Sequence, residues 1–421
     1  MNKIKLPLDR LTPGLYIQLP CSWVNHPFVF GNFKIKNQDQ IKVLRSLGLK
    51  YVIYYPDKSD VTPPAATIEA TPEKQDSSEA DAYLEALWKE KEQRVQENKS
   101  YLRNLRKCQK DFDQSLASVR AINLKMGNQT AEALAEAQLL IGDISSKLMS
   151  GNNSVLHLME HGKSGKTGGQ YHSHAFHVAI LAMILGNALK LSKEELNYLG
   201  LGALFHDIGK TKVPDNILNN KPEITTAENN FYKMHVQYGV DRVKSIVDFP
   251  EPVREIISQH HEYLDGSGYP NKLSAKKINL LTQIVTIANE FDNMCNPTDK
   301  HPARSPNYAL SYLYKNKSKQ LNKNILGILI KKLGIYPPGS VVQLSDNRIA
   351  LVISVTENQI MQPNVLIYDP AIPKKEAPII KINENELKIE RVVSVEKLPQ
   401  EAKDYLNPCD RINFYFDDEA I

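Results

Sequence analysis

His206-Asp207-Ile208-Gly209-Lys210, followed further along by His260-His261-Glu262-Tyr263-Leu264-Asp265-Gly266-Ser267-Gly268-Tyr269-Pro270, decides how this chain is read. Cutting a phosphodiester calls for clustered neutral imidazoles, a carboxylate that can bridge two ions and a cation for phosphate. These two strings supply all three. Nine of the eleven histidines fall between positions 157 and 261, a density that calls for a chemical reason. A lone histidine in a helical domain is more often a satisfied core or surface residue than a ligand, and the pattern with Asp207 reverses that expectation.

Read as neighbours on a helix, His206 and Asp207 diverge by about 100° and cannot grip one ion as a flat chelate. A carboxylate has two oxygens, each able to take a different metal, whereas a neutral imidazole offers one nitrogen. The expected arrangement therefore has His174, His206 and Asp207 around one ion and Asp207, His235, His260 and His261 around a second. Two ions roughly 3.5–4 Å apart can clamp both the attacking and the leaving oxygen of an in-line displacement at phosphorus. The donors are nitrogen and oxygen without sulfur, which favours divalent iron or manganese and also suits zinc, nickel or cobalt. Lys210, three residues past Asp207, is placed to neutralise a phosphate oxygen, the alternative being a surface lysine near a helix end. Asp207 and Lys210 are thus the expected catalytic pair. The loop 265–270 has glycines that permit close backbone approach, and it sets Tyr269 beside the double histidine as a pocket-shaping residue.

The rest of the chain is read around that centre. Its 421 residues predict two or three domains. A formal net charge of +4 is too small to hold polymeric nucleic acid by counterion release. Cys21, Cys108, Cys295 and Cys409 form no CxxC pair, which argues against a disulfide framework and a zinc ribbon, and reduced thiols are expected. No apolar leader core and no apolar run of ~18 residues is present, so a cytoplasmic protein without a membrane span is expected.

Residues 1–55 read as a small α/β or α+β regulatory domain, with Leu11-Thr-Pro-Gly-Leu-Tyr-Ile17 a turn entering a strand and Tyr51-Val-Ile-Tyr-Tyr55 a strand. Residues 56–80 gather Pro, Thr, Ser, Glu and Lys and read as a flexible linker. From 81 to 150, Leu102, Leu105, Phe112, Leu116 and Val119 recur near helical or heptad spacing. One or two long helices are expected there, either a dimerising or signal-relaying pair or helices packed on their own domain. Residues 151–323 form the expected all-helical catalytic domain. Residues 324–421 read as a helix followed by a small β module, with an Asp346-Asn347 turn between two strands. The fold class is therefore multidomain and mainly α. One lure fails: Gly162-Lys-Ser-Gly-Lys-Thr167 resembles the end of a phosphate-binding loop, but Glu160 stands where its first glycine belongs and no strand precedes it.

The two opening strings together resemble the HD-GYP family of the HD hydrolase superfamily over roughly residues 170–315. The segment with Ser22-Trp-Val-Asn-His-Pro-Phe28 is similar to the poorly understood domain that often precedes HD-GYP, and Tyr336-Pro-Pro-Gly-Ser-Val-Val-Gln-Leu-Ser-Asp346 resembles a tail of the same subgroup. The resemblance implies hydrolysis of cyclic di-GMP to pGpG or GMP, with a non-catalytic cyclic-dinucleotide receptor or a hybrid cyclic GMP-AMP phosphodiesterase as alternatives. Partners it implies include diguanylate cyclase (GGDEF) domains and a homodimer. It puts the first helical histidine on His174 and leaves His172 and His177 as bystanders. The chain departs from the family at Gln170, where three-metal members carry glutamate, and at Asn289, where a late aspartate ligand is usual. Two ions rather than three are implied, the one near Asn289 held less tightly, with Asp292 as a partial substitute. Arg304 falls at about the place of a phosphate-contacting arginine.

Overall fold

The structure, a computed structural model, describes residues 3–65, 77–150, 169–218, 225–297, 303–355, 359–383 and 387–406; the side chains at 77–80, 105, 108, 109, 169 and 170 are outside the description. The residues resembling a phosphate-binding loop, 162–167, lie outside it too. Contacts divide the chain into one unit of residues 1–102 with 366–380 and a second of 103–365 with 381–421.

In the first unit β1 (Ile4–Pro7), β2 (Tyr16–Gln18), β3 (Asn32–Lys34) and β4 (Tyr51–Tyr54) make an antiparallel sheet in the order β1-β4-β2-β3. Alternation sends Leu6, Ile17, Val52 and Tyr54 inward. They meet Ile41, Val43 and Leu44 of α1 (Gln38–Ser46), whose N-terminus is capped by the Asn37 side chain on the Gln40 amide. The early turns of α2 (Ser77–Lys125) pack Tyr83, Leu84 and Leu87 on the same core. Lys91 of α2 is buried, its ammonium donating to the carbonyls of Trp23 (2.5 Å) and His26 (2.6 Å) and lying 3.6 Å from the Trp23 ring centroid.

In the second unit the late turns of α2, Met126 just after it, and α3 (Thr130–Met149) bury Phe112, Leu116, Val119, Ile122, Met126, Ala137, Ile141 and Ile144 in one helical core. Among the described residues, the 81–150 helices thus give Tyr83, Leu84 and Leu87 to the first unit's core and their later apolar residues to this one. That core is built on α4 (Gly169–Ala188), α5 (Lys193–Phe205), α9 (Glu251–Gln259) and α10 (Leu280–Cys295). Shorter pieces α6 (Asp215–Leu218), α7 (Thr226–Lys233) and α8 (His235–Lys244) surround it. After them come α11 (Pro306–Asn316) and α12 (Lys323–Leu333), which adds Ile325, Leu326, Leu329 and Leu333 to the same core. The sequence reading drew domain bounds at 151 and 323, and α3 and α12, just outside them, turn their apolar faces into this same core. Capping boxes at Ser192/Glu195 and Thr225/Glu228 fix where α5 and α7 begin.

Beyond α12, β5 (Val341–Leu344) pairs antiparallel with β6 (Ile349–Ser354) and with β9 (Ile389–Val392). The turn between β5 and β6 contains Asn347 at φ +69°, as the Asp346-Asn347 reading anticipates. Strands β7 (Asn364–Ile367) and β8 (Ile379–Lys381) and the helix α13 (Gln400–Leu406) complete the described elements. No helix among the described residues is long and apolar enough to cross a membrane.

Candidate metal centre

The six expected ligand positions other than Asn289 converge from five places. His174 lies on α4, His206 caps the end of α5, Asp207 opens the following turn, His235 begins α8, and His260 and His261 follow α9. Their donor atoms form two groups that share Asp207, one with His174 and His206, the other with His235, His260 and His261. Asp207 Oδ2 faces His206 Nε2 at 3.2 Å and His174 Nε2 at 3.7 Å, whereas Oδ1 faces His235 Nε2 at 3.4 Å and His260 Nε2 at 3.7 Å. Each carboxylate oxygen thus addresses a different pair of imidazoles.

The chemistry of this donor set fits divalent ions. Nδ1 of His206, His235 and His260 lies 2.6, 2.7 and 2.9 Å from the carbonyls of Ala203, Tyr232 and Ile257, each three residues back. A carbonyl only accepts, so Nδ1 carries the proton and Nε2 presents a lone pair. His235 Nε2 and His260 Nε2 then face one another at 3.3 Å as two lone pairs. That contact is repulsive without a cation between or beside them. His174 Nε2, His206 Nε2, His261 Nε2 and Asp207 Oδ1 are buried without a hydrogen-bond partner, a cost of roughly 1–3 kcal/mol for each polar group.

Burial pushes His235 down to about 3 and also lowers His260 and His261, so these rings stay neutral and able to ligate. Burial works to raise the Asp207 carboxyl, but the Lys210 ammonium against it overrides this and holds it well below its ordinary value. Lys210 is buried too, and the adjacent carboxylate keeps it charged, its Nζ donating to Asp207 Oδ2 at 2.5 Å. The sequence reading placed Asp207 and Lys210 on a continuous helix. Instead α5 ends at Phe205 and residues 208–212 form a 3₁₀ turn, in which positions three apart eclipse and the pair is brought into contact.

Two glycines explain the strings that carry these ligands. A Cβ on Gly209 would collide with the carbonyl of His235 and the amide of Gly239, so the turn and α8 meet backbone to backbone. A Cβ on Gly268 would strike Glu262, Tyr263 and His261 main chain, which lets the loop fold back on the double histidine. Tyr269, before a cis peptide bond to Pro270, stacks on His261 with centroids 4.6 Å apart.

Several residues beyond the expected set hold the site together. Asp292 Oδ2 accepts from His174 Nδ1 at 2.6 Å, and its other oxygen accepts from Asn296 Nδ2 at 2.8 Å. Glu262, buried, accepts from the amides of Asn271 (2.6 Å) and Leu273 (2.9 Å) and so ties down the loop. Tyr232 supplies the carbonyl for His235, and its ring lies 5.4 Å from the Lys210 ammonium. Asn289 is buried one turn before Asn293, whose side-chain amide donates to its Oδ1 at 2.7 Å. Arg304 is exposed, its guanidinium 5.4 Å from the Tyr308 ring centroid. The side chain of Gln170 lies outside the described residues. His172, expected as a bystander, has its Nδ1 2.9 Å from Asn123 Nδ2, and His177 approaches Asp292 at 3.5 Å.

Comparison with known proteins agrees with this geometry. The HD domain family model matches residues 144–325, and a domain of unknown function, DUF3391, matches residues 3–137. The chain is 26% identical over 381 residues to the cyclic di-GMP phosphodiesterase PA4108 of Pseudomonas aeruginosa, covering 89% of this chain and 87% of that protein. It is 30% identical over 152 residues to the cyclic di-GMP phosphodiesterase response regulator RpfG of Xanthomonas campestris pv. campestris, covering 36% of this chain and 40% of that one. It is also 33% identical over 121 residues to 3'3'-cGAMP-specific phosphodiesterase 2 of Vibrio cholerae, covering 28% of this chain and 23% of that one. The chain therefore spans most of the Pseudomonas protein and less than half of the other two. With the His-Asp pair at the heart of a helical region and the Gly-Tyr-Pro loop folded onto it, residues 144–325 carry an HD domain, preceded by DUF3391 over residues 3–137, in keeping with the resemblance to the HD-GYP type.

Proposed function

We propose that the HD domain is a phosphodiesterase that hydrolyses cyclic di-GMP to pGpG or GMP, using two divalent ions, iron or manganese. The observation that carries this reading is the Asp207 carboxylate, whose two oxygens face two separate pairs of neutral imidazoles. When bound, the ions supply Lewis acidity toward phosphoryl oxygens and lower the pKa of a water so that it is nucleophilic near neutral pH.

The side chains account for the remainder. His174 and His206 with Asp207 would hold one ion, and His235, His260 and His261 with Asp207 would hold the other. Main-chain carbonyls behind three of the imidazoles prevent them from turning away. Lys210, held charged beside Asp207, offsets negative charge that develops on a non-bridging phosphoryl oxygen. Tyr269 braces His261 and forms part of the substrate wall.

The test pairs metal analysis of anaerobically purified protein with chromatographic measurement of cyclic di-GMP consumption on the same sample. About two ions per chain with multiple turnovers to linear product supports the reading, and Asp207→Ala should abolish turnover. Unchanged turnover in that variant would sink the mechanism. Full metal loading with bound but uncut dinucleotide would point instead to a receptor. The likeness to a cGAMP-specific relative favours one second reading, hybrid cyclic GMP-AMP as substrate. Rates on both dinucleotides decide between the two.

A further inference from the structure

The stretch of chain that follows the double histidine is fastened by three side chains. Tyr263, two residues past His261, donates its hydroxyl to Glu290 Oε1 at 2.5 Å. The Lys317 ammonium, just past the end of α11, donates to Glu290 Oε2 at 2.5 Å and to the Tyr263 hydroxyl at 3.0 Å. It also lies 4.8 Å from the Tyr263 ring centroid. Hydroxyl, carboxylate and ammonium thus close a ring in which each group bonds the other two. Two further bonds tie the same stretch to the turn after α11. The Leu264 amide donates to the Gln320 carbonyl at 2.9 Å, and Gln320 Nε2 donates to Ser267 Oγ at 3.0 Å.

The charges in this ring are mostly withdrawn from water, the Lys317 and Glu290 side chains being 20% and 18% exposed. A pair so far desolvated adds little net stability over apolar residues of the same size, whereas loss of one partner strands the other charge. What the pair does supply is fixed geometry, because each Glu290 oxygen is taken by its own donor. The place of Glu290 on α10 gives that geometry a use. Glu290 and Asp292 stand two residues apart, about 200° around the helix. Asp292 accepts from His174 of the first ion group, and Glu290 holds the stretch that follows His260 and His261 of the second. One helix is therefore the reference for both groups.

We propose that Lys317 and Glu290 are positioning residues for the second ion group, setting through Tyr263 where His260, His261 and the Tyr269 wall stand relative to α10. The inference rests on the two-ion reading above for its catalytic meaning, but the placement of the stretch is also tested on the metal-free chain.

The experiment uses the full chain with Lys317→Met, with Lys317→Arg, and with Lys317→Met combined with Glu290→Gln. Each is followed by amide hydrogen exchange without metal, by thermal unfolding and by manganese titration. In Lys317→Met the amides of Leu264 and Tyr269, which donate to Gln320 and His261, should exchange at least tenfold faster. Manganese affinity of the second group should fall about tenfold while the first group keeps its own. Tm should fall too, because Glu290 is left unpaired. In the double variant the stranded charge is gone, so Tm should recover toward wild type while fast exchange and weak manganese binding persist. Lys317→Arg should restore slow exchange and tight binding. Recovery of exchange and affinity along with Tm in the double variant would reduce the three side chains to a fold-stabilising contact and overturn the proposal. Wild-type exchange in folded Lys317→Met overturns it as well. A wild-type chain that takes up no manganese, with exchange responding as stated, counts against the proposed reaction and supports the positioning of the stretch.

Discussion

Asp292 and His174 are 118 residues apart in sequence and 2.6 Å apart in space, the carboxylate accepting a hydrogen bond from the imidazole Nδ1. That bond fixes which nitrogen of His174 is free to bind a metal and raises its basicity. His206, His235 and His260 are backed instead by neutral main-chain carbonyls, whereas His174 is backed by a charge. Replacing Asp292 with Asn should weaken the first ion group by about 10–100-fold in affinity. Metal competition titration checks this, and the second group should keep its affinity. Equal weakening of both groups, or of neither, contradicts the assignment.

Protons and ions compete for the same imidazoles, which sets the behaviour of chelator-treated protein. His235 is pushed down to about 3 by burial, against its ordinary 6.5 in the unfolded chain. Below pH 6.5 the unfolded state binds a proton that the folded state refuses. The associated stability is therefore complete above that value and is lost as pH falls toward 3. His260 and His261, also lowered by burial, act with the same sign. Asp207 adds to the loss once pH approaches its ordinary 3.8. The Tm of the metal-free chain should be flat above about pH 7 and fall steadily below about pH 6. A Tm constant down to pH 4 would show that the rings are not held neutral by burial.

Adding a divalent ion should relieve the facing lone pairs of His235 and His260. At a hundredfold excess over Kd, manganese should stabilise the folded chain by about 2.7 kcal/mol per site, read as a rise in Tm. In His235→Ala that rise should shrink, while the metal-free variant escapes the lone-pair contact. A rise of undiminished size in the variant would place the ion elsewhere.

Glu262 tests how far the loop depends on one carboxylate. Both its oxygens accept from main-chain amides, at Asn271 and Leu273. In Glu262→Gln one of those oxygens becomes an NH₂ group that meets an amide donor, a mismatch costing roughly 1–3 kcal/mol. The expected result is a lowered Tm and a raised KM, because Tyr269 then loses its fixed seat on His261. Unaltered KM with lowered Tm would restrict Glu262 to folding.

The convergence of these side chains was legible in sequence, since most of them stand at helix ends in short, recognisable strings such as His206-Asp207 and His260-His261, His174 lying within α4. The turn from Asp207 to Lys210 was legible as a pairing but not as a 3₁₀ turn, because both geometries bring positions three apart together. Asp292 was read only as a substitute ligand and Glu262 not at all. Both act across tertiary contacts that carry no periodic signal. The extent of the apolar core was not legible either: it continues past the expected domain bounds of 151 and 323, through Ile141 and Leu326, by contacts that composition does not reveal.

The meeting of Gly209 with the main chain of His235 and Gly239 has a consequence for how such proteins diverge. Side chains in a core can be exchanged, and their neighbours repack around the newcomer. Two stretches of main chain in direct contact have no rotamers to exchange. The distance between the strand of chain bearing Asp207 and the helix bearing His235 is therefore indexed by peptide groups rather than by packing. Substitutions can reshape the side chains around the site while that index stays where it is. A lineage built on this turn can try new substrates without re-inventing its reaction centre.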